Sequence, residues 1–151
     1  MRSAKILEML AEAEAFIRGK GVANVTFREA DAQNLPFGGE FDLVTCRIAP
    51  HHFPEPAKFV RECARVVRSG GVVAVIDNIT AADTVAARHI NAFEKLRDPS
   101  HVWAYTAGEW ESFFSAAGLE VTHVETFPKG RDFHRWSDMM TVAAHIRLQL
   151  E

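Results

Sequence analysis

The sequence predicts an α/β fold built on a parallel, doubly wound sheet. Three observations lead there: apolar, β-branched runs at residues 41–46 and 72–76, helical periodicity between and beyond them, and glycine pairs at the joins. The chain has 151 residues, 48% hydrophobic and 25% charged. That suits one globular domain able to bury roughly 68–70% of its unfolded surface. A formal net charge of −3 argues against a surface made to grip nucleic-acid phosphates. No apolar run reaches the length of a membrane span, and the N-terminus lacks the charged-then-apolar pattern of a secretion signal. The expectation is a cytoplasmic protein with no membrane partner. Cys46 and Cys63 have no metal-type spacing and are expected as reduced thiols.

Each element has its own signal. Residues 4–18 place Ile6, Leu7, Leu10, Ala13 and Ile17 at helical spacing, and Gly19 and Gly21 follow as helix-ending residues. Residues 25–29 alternate with period two and predict a short strand; Pro36, Phe37, Gly38 and Gly39 predict a turn. Residues 41–46 predict a mostly buried strand, followed by a loop with Pro50, Pro54 and Pro56. Residues 55–68 predict a helix with Phe59, Val60, Cys63, Val66 and Val67 as its apolar stripe. Arg65 and Arg68 suit the negative end of its dipole, and Gly70 and Gly71 stop it.

Residues 72–76 are uninterrupted apolar, as in a strand covered on both faces. A helix over 82–97 is expected to turn Ala86, Ile90, Phe93 and Leu96 inward. Thr106 and Glu109 have capping-box spacing and open a short helix carrying Trp110, Phe113, Phe114 and Ala117, which ends at Gly118. Residues 119–127 predict a strand. The tail from His134 predicts a helix, although 146–150 also fit an alternating strand.

In such a sheet ligands bind beyond the carboxyl ends of the strands. That rule selects residues 30–37, 47–53 and 77–80. The first segment offers the Asp31 carboxylate, a backbone N–H at Ala32 or Gln33, and an apolar neighbour at Leu35 or Phe37. A purine needs such an acceptor, donor and flat contact; the same Asp31 equally suits a turn cap. In the second segment Arg47 suits a carboxylate, and His51 or His52 suits either a base or a packed loop residue. Adjacent histidines on an extended segment point apart, so no metal site is expected without a third ligand. Trp103, Tyr105 and His101 fall in a loop able to line a pocket, whereas Trp110 and Phe113 are expected in the core. Lys129, Arg131 and Arg135 are expected as solvated surface, and His123 and His145 earn no role.

Four runs appear in order: Asp31-Ala32-Gln33-Asn34-Leu35-Pro36-Phe37, Phe41-Asp42-Leu43-Val44, His51-His52-Phe53-Pro54-Glu55-Pro56 and Arg65-Val66-Val67-Arg68-Ser69-Gly70-Gly71-Val72. Together they resemble the post-nucleotide half of a class I S-adenosylmethionine-dependent methyltransferase, type 11 group, which includes ubiquinone- and menaquinone-biosynthesis enzymes. The later Leu96-Arg97-Asp98-Pro99-Ser100-His101-Val102, with Tyr105 and Trp110, is similar to bacterial members. The resemblance implies a Rossmann-like methyltransferase sheet and S-adenosylmethionine as cofactor. It implies that Asp31 accepts from the adenine amine, Ala32 offers its N–H, Leu35 packs nearby, and Arg47 lies by the methionine portion. It also implies that His51, His52, Asp77 and Asn78 border the pocket of a small-molecule methyl acceptor.

The family's opening strand, Gly-rich loop and second acidic strand have no counterpart here. The expectation is therefore a single partial domain over 1–151, truncated at its N-terminus. An open edge at 41–46 then predicts a homo-oligomer formed through that strand. Besides methyl transfer, a non-catalytic dimerisation module and a metal-dependent hydrolase using His51, His52 and Asp77 are the competing readings.

Overall fold

The computed structural model describes residues 2–128, 130, 132–138 and 146. The chain divides into two compact units, residues 1–36 and 37–151.

In the first unit helix α1 spans Arg2–Gly19. It closes where Lys20 N–H donates to Phe16 O (3.2 Å) and Gly21, at φ +72°, donates to Arg18 O (2.9 Å). The strand expected over 25–29 does not form. Its alternation is real, but no segment among the described residues offers its backbone a ladder, and Val25 remains 44% exposed. The chain instead makes one isolated antiparallel bridge between Asp31 and Asn34.

The second unit holds a βαβ step. Strand β1 (Phe41–Arg47) leads through a 3-10 turn (Pro50–His52) and helix α2 (Pro56–Val66) into strand β2 (Val67–Ile76), which pairs with β1 in parallel. The predicted stripe of α2 is the core: Phe59, Val60, Cys63, Val66 and Val67 are all buried. The helix stops at Val66, earlier than Arg68, because Val67 already has extended backbone (φ −73°, ψ 138°) and belongs to β2. Phe41 faces Val67 and Leu43 faces Val72, so β2 bulges between those rungs before settling into register.

Val44 and Cys46 of β1 and Val73 and Val75 of β2 form the half-buried face of this pair. The opposite face is not covered as expected. Leu43 and Val72 are each 57% exposed and Ile76 is 54% exposed. Both outer edges of the pair lack a ladder partner among the described residues.

Helix α3 (Thr84–Arg97) is capped by Asp83, whose side chain accepts from Val85 N (3.0 Å) and Ala86 N (2.8 Å). Its buried line is Ala87 and Asn91, not the predicted apolar set, of which Ile90 and Leu96 are exposed. The reason lies in Asn91, whose hydrogen bonds make a polar residue the best fit to that face. Helix α4 (Ala107–Ala116) opens with the expected capping box. Trp110 is buried, with Tyr105 and Phe113 edge-on to it and to each other. The strand expected over 119–127 is also absent: Val121, Val124 and Phe127 are exposed and join no ladder. Helix α5 (Phe133–Asp138) agrees with the predicted C-terminal helix; of 139–151, only residue 146 lies within the described residues.

Candidate functional site

The carboxyl ends of β1 and β2 are joined by side chains. Asp77, immediately after β2, is almost fully buried and receives two hydrogen bonds from His51: its backbone N–H at 2.8 Å and its ring Nδ1 at 2.6 Å. Because an ionised carboxylate only accepts, Nδ1 of His51 carries the proton and Nε2 is left as the acceptor. The carbonyl of His51 in turn accepts from Val102 N (2.9 Å) and Trp103 N (3.1 Å). One residue thus ties three segments together. Beside it Ile48 adopts φ +51°, a strained conformation for a β-branched residue, held by donation from Ile48 N to Ile76 O at 2.8 Å.

The ring of His51 lies between those of His52 and His101, at centroid distances of 4.1 and 5.6 Å. His101 is buried, and its Nε2 bonds Asn91 Oδ1 at 2.7 Å. That oxygen also accepts from Ala104 N (2.6 Å), while Asn91 Nδ2 donates to Ala87 O (2.9 Å) and Ala104 O (3.2 Å). Burial foremost, and then the neighbouring His51 and His52, push the ionisation of His101 below its ordinary value. It is a neutral donor that fixes the 98–105 segment against α3.

His52 is half-buried and sits differently. Ser100 has one hydroxyl hydrogen, donated to Asp98 Oδ1 at 2.6 Å, so its oxygen accepts from His52 Nδ1 at 3.1 Å. This leaves Nε2 of His52 with its lone pair, 4.0 Å from Asp98 Oδ2. Burial pushes the Asp98 carboxyl up, but the Ser100 hydroxyl and N–H, with His52 and Arg97 nearby, hold it below the usual carboxylate value. Asp98 is therefore an anion facing an imidazole that can accept a proton.

The sequence pointed to His51, His52, Asp77 and His101 as separate candidates, and the fold brings all four into one cluster. Sequence reasoning missed Asn91, and it has Asp98 and Ser100 only as members of the 96–102 run, without a role; their local signal is the Asp-Pro-Ser turn, in which Asp98 Oδ1 also accepts from Ser100 N at 2.9 Å. Burial raises the Cys46 and Cys63 thiols to about 11 and about 12, which removes both as thiolate nucleophiles. Among the described residues no three His, Cys, Asp or Glu side chains converge as a metal-ligand set. No described helix is long and apolar enough to cross a membrane.

Beyond the end of β2 opens a cavity of about 460 Å³, lined by Thr80, Ala82, Thr84, Ala87, Arg88, Trp103, Thr106 and Glu109, within the range of small-molecule sites. Trp103 is the one predicted pocket residue that lines it. His101 is turned to Asn91, Tyr105 to the α4 aromatics, and Asn78 is half-buried beside Asp77. Arg47 ends β1 opposite Ile76, exposed.

In the first unit Asp31 is exposed, and its Oδ1 accepts from Gln33 N at 2.9 Å, so it does cap its turn. Its second carboxylate oxygen and the N–H of Ala32 make no hydrogen bond among the described residues, and Leu35 is half-buried alongside. An acceptor, a donor and an apolar contact are thus on offer within five residues, and that donor set fits the edge of an adenine.

Comparison with known proteins identifies the fold and its family. Residues 6–75 match a methyltransferase domain family. The chain is 38% identical over 130 residues to the uncharacterized methyltransferase YcgJ of Bacillus subtilis, covering 85% of this chain and 51% of that protein. It is 32% identical over 135 residues to the uncharacterized protein YafE of Escherichia coli, covering 89% of this chain and 64% of YafE. The crystal structure of B. subtilis YcgJ superposes with a TM-score of 0.91 at 35% identity, covering 95% of this chain and 62% of that one. The chain thus spans between half and two thirds of the length of these relatives.

Proposed function

The chain belongs to the class I S-adenosylmethionine-dependent methyltransferases, type 11 group, and from that premise we propose that it takes part in moving a methyl group from S-adenosylmethionine to a small-molecule acceptor. The observation that carries this reading is the cavity beyond β2, with Trp103 in its wall and the Trp103 backbone N–H bonded to His51 O. S-adenosylmethionine supplies, when bound, an electrophilic methyl on a sulfonium. Asp31 accepts from the adenine amine, Ala32 donates its N–H to the ring and Leu35 packs against it.

The acceptor side belongs to the second unit. Trp103 provides the flat contact, while Asp77, Asn78, His101 and Tyr105 fix the segments that frame it. Methyl transfer depends mainly on aligning the attacking atom with the methyl, and a base is needed only where the acceptor loses a proton. Of the two histidines, His52 is assigned that proton. Its Nε2 carries the lone pair, its side chain is 31% exposed against 7% for His51, and Asp98 stands ready to stabilise the imidazolium. His51 is the positioning residue.

Calorimetric titration with S-adenosylmethionine and S-adenosylhomocysteine tests the cofactor half. Micromolar binding is expected, weakened about ten-fold or more in Asp31→Ala, since one charged hydrogen bond is worth roughly 1.5–3 kcal/mol. Absence of binding to the unmodified chain overturns the reading.

The exposed row Leu43, Val72 and Ile76 favours a second reading, self-association of this chain through the β1–β2 sheet. Light scattering is expected to give a dimer mass, reverting to monomer in Leu43→Lys. A monomer at all concentrations removes this reading and leaves methyl transfer untouched.

A further inference from the structure

Resting on the reading of the cavity as the acceptor pocket, we infer that it selects acceptors carrying a carboxylate or similarly compact anion beside a flat, apolar body. The wall contains one cation, Arg88 of α3. Its guanidinium makes no hydrogen bond, ion pair or ring contact among the described residues. Arg97 of the same helix and Arg65 of α2 are, by contrast, engaged: Arg97 binds Glu94 at 2.9 Å and Arg65 binds Glu62 at 2.7 Å.

The wall also contains one carboxylate, Glu109, whose Oε2 already accepts from Thr106 N (2.8 Å) and Thr106 Oγ1 (2.9 Å) in the capping box. A ligand cation therefore meets an anion held inward to its own helix, whereas a ligand anion meets an uncommitted fork of donors. Thr80 and Thr106 are likewise occupied, donating to Ala104 O (3.4 Å) and accepting from Glu109 N (3.1 Å). Trp103 adds an apolar indole and an N–H without a partner among the described residues, and Ala82 and Ala87 add only small apolar side chains to the wall. A planar apolar side chain and a fork of N–H donors in the same wall define the ligand class.

Arg88 is exposed on the middle of α3, so Arg88→Gln preserves the fold. The probes are 2-naphthoate, its uncharged carboxamide and 2-naphthylmethylamine, titrated into the full chain without cofactor. The readout is the indole N–H resonance of Trp103, assigned by its loss in Trp103→Phe. Naphthoate is expected to shift that resonance saturably and to bind about ten-fold or more tightly than the carboxamide. Arg88→Gln is expected to reduce naphthoate to the level of the carboxamide, with Arg88→Lys between. The inference is overturned if the carboxamide or the amine binds as well as naphthoate, if Arg88→Gln leaves naphthoate unaffected, or if no probe binds. Because no cofactor is present, a chain that takes naphthoate through Arg88 but fails to bind S-adenosylmethionine keeps the cavity's preference for flat anions and sinks the methyl-transfer reading.

Discussion

Asp77→Ala is expected to destabilise the protein by about 3 kcal/mol. The carboxylate is 2% exposed and is the shared acceptor of His51 N–H and His51 Nδ1–H. Truncation leaves two buried donors unsatisfied, each costing about 1–3 kcal/mol. It also frees the turn at Pro50–His52 from the end of β2, and with it the carbonyl that receives Val102 and Trp103. Asp77→Asn behaves differently. Its amide oxygen still accepts from the backbone N–H of His51, and its amide nitrogen donates to Nδ1 once the imidazole moves its proton to Nε2. Stability is then expected within about 1 kcal/mol of the parent, and the tautomer change is visible in the imidazole nitrogen shifts. Urea unfolding followed by circular dichroism measures the first effect. Equal losses in Ala and Asn, or none in Ala, contradict the clamp.

How much of this arrangement was legible depends on whether its cause is local. The helix α4 could be read because Thr106 and Glu109 cap it within their own turn, and α2 because five apolar residues fall on one face and all are buried. Both strands of the pair could be read from their apolar, β-branched residues, although β2 begins at Val67, ahead of its uninterrupted run at 72–76. Residues 25–29 and 119–127 misled because alternation describes a surface, whereas a strand requires a partner's backbone, and none among the described residues supplies it. The inward face of α3 misled for another reason. Pattern reading assumes that burial follows hydrophobicity, yet Asn91 is buried at 3% exposure with all four of its hydrogen-bonding positions filled.

The site divides in the same way. Topology placed residues 47–53 and 77–80 at one sheet edge, and the structure agrees. The pairing of His51 with Asp77 spans 26 positions and depends on the register of Arg47 against Ile76. No local spacing encodes that register. Arg88 is not legible in the sequence because a lone arginine on a helix is ordinarily solvated; only the cavity beside it gives it meaning.

Gly71→Ala is the other substitution with a large expected effect, about 2–3 kcal/mol of lost stability. A methyl carbon built on Gly71 stands 2.6 Å from Val67 Cγ2, 2.9 Å from Asp42 O and 3.1 Å from Arg68 O. Two of these three neighbours are backbone atoms of the β1–β2 ladder and its bulge, so they cannot rotate away. Val67 is buried at the end of α2 and, being β-branched, exchanges one methyl for another when it turns. The strands must therefore separate locally at the rung where register resumes, between Phe41–Val67 and Leu43–Val72. Gly70→Ala is the informative control. That residue has φ +74° but nothing within 4 Å of an added carbon, so only the left-handed conformation is penalised, by about 1–2 kcal/mol. Urea midpoints are expected to fall further for Gly71→Ala than for Gly70→Ala. The reverse order shows that conformation, not the closeness of Asp42 to β2, governs this joint. A loss at Gly71 also reaches the functional end of the sheet, because the same register sets Arg47 beside Ile76 and Asp77 within reach of His51.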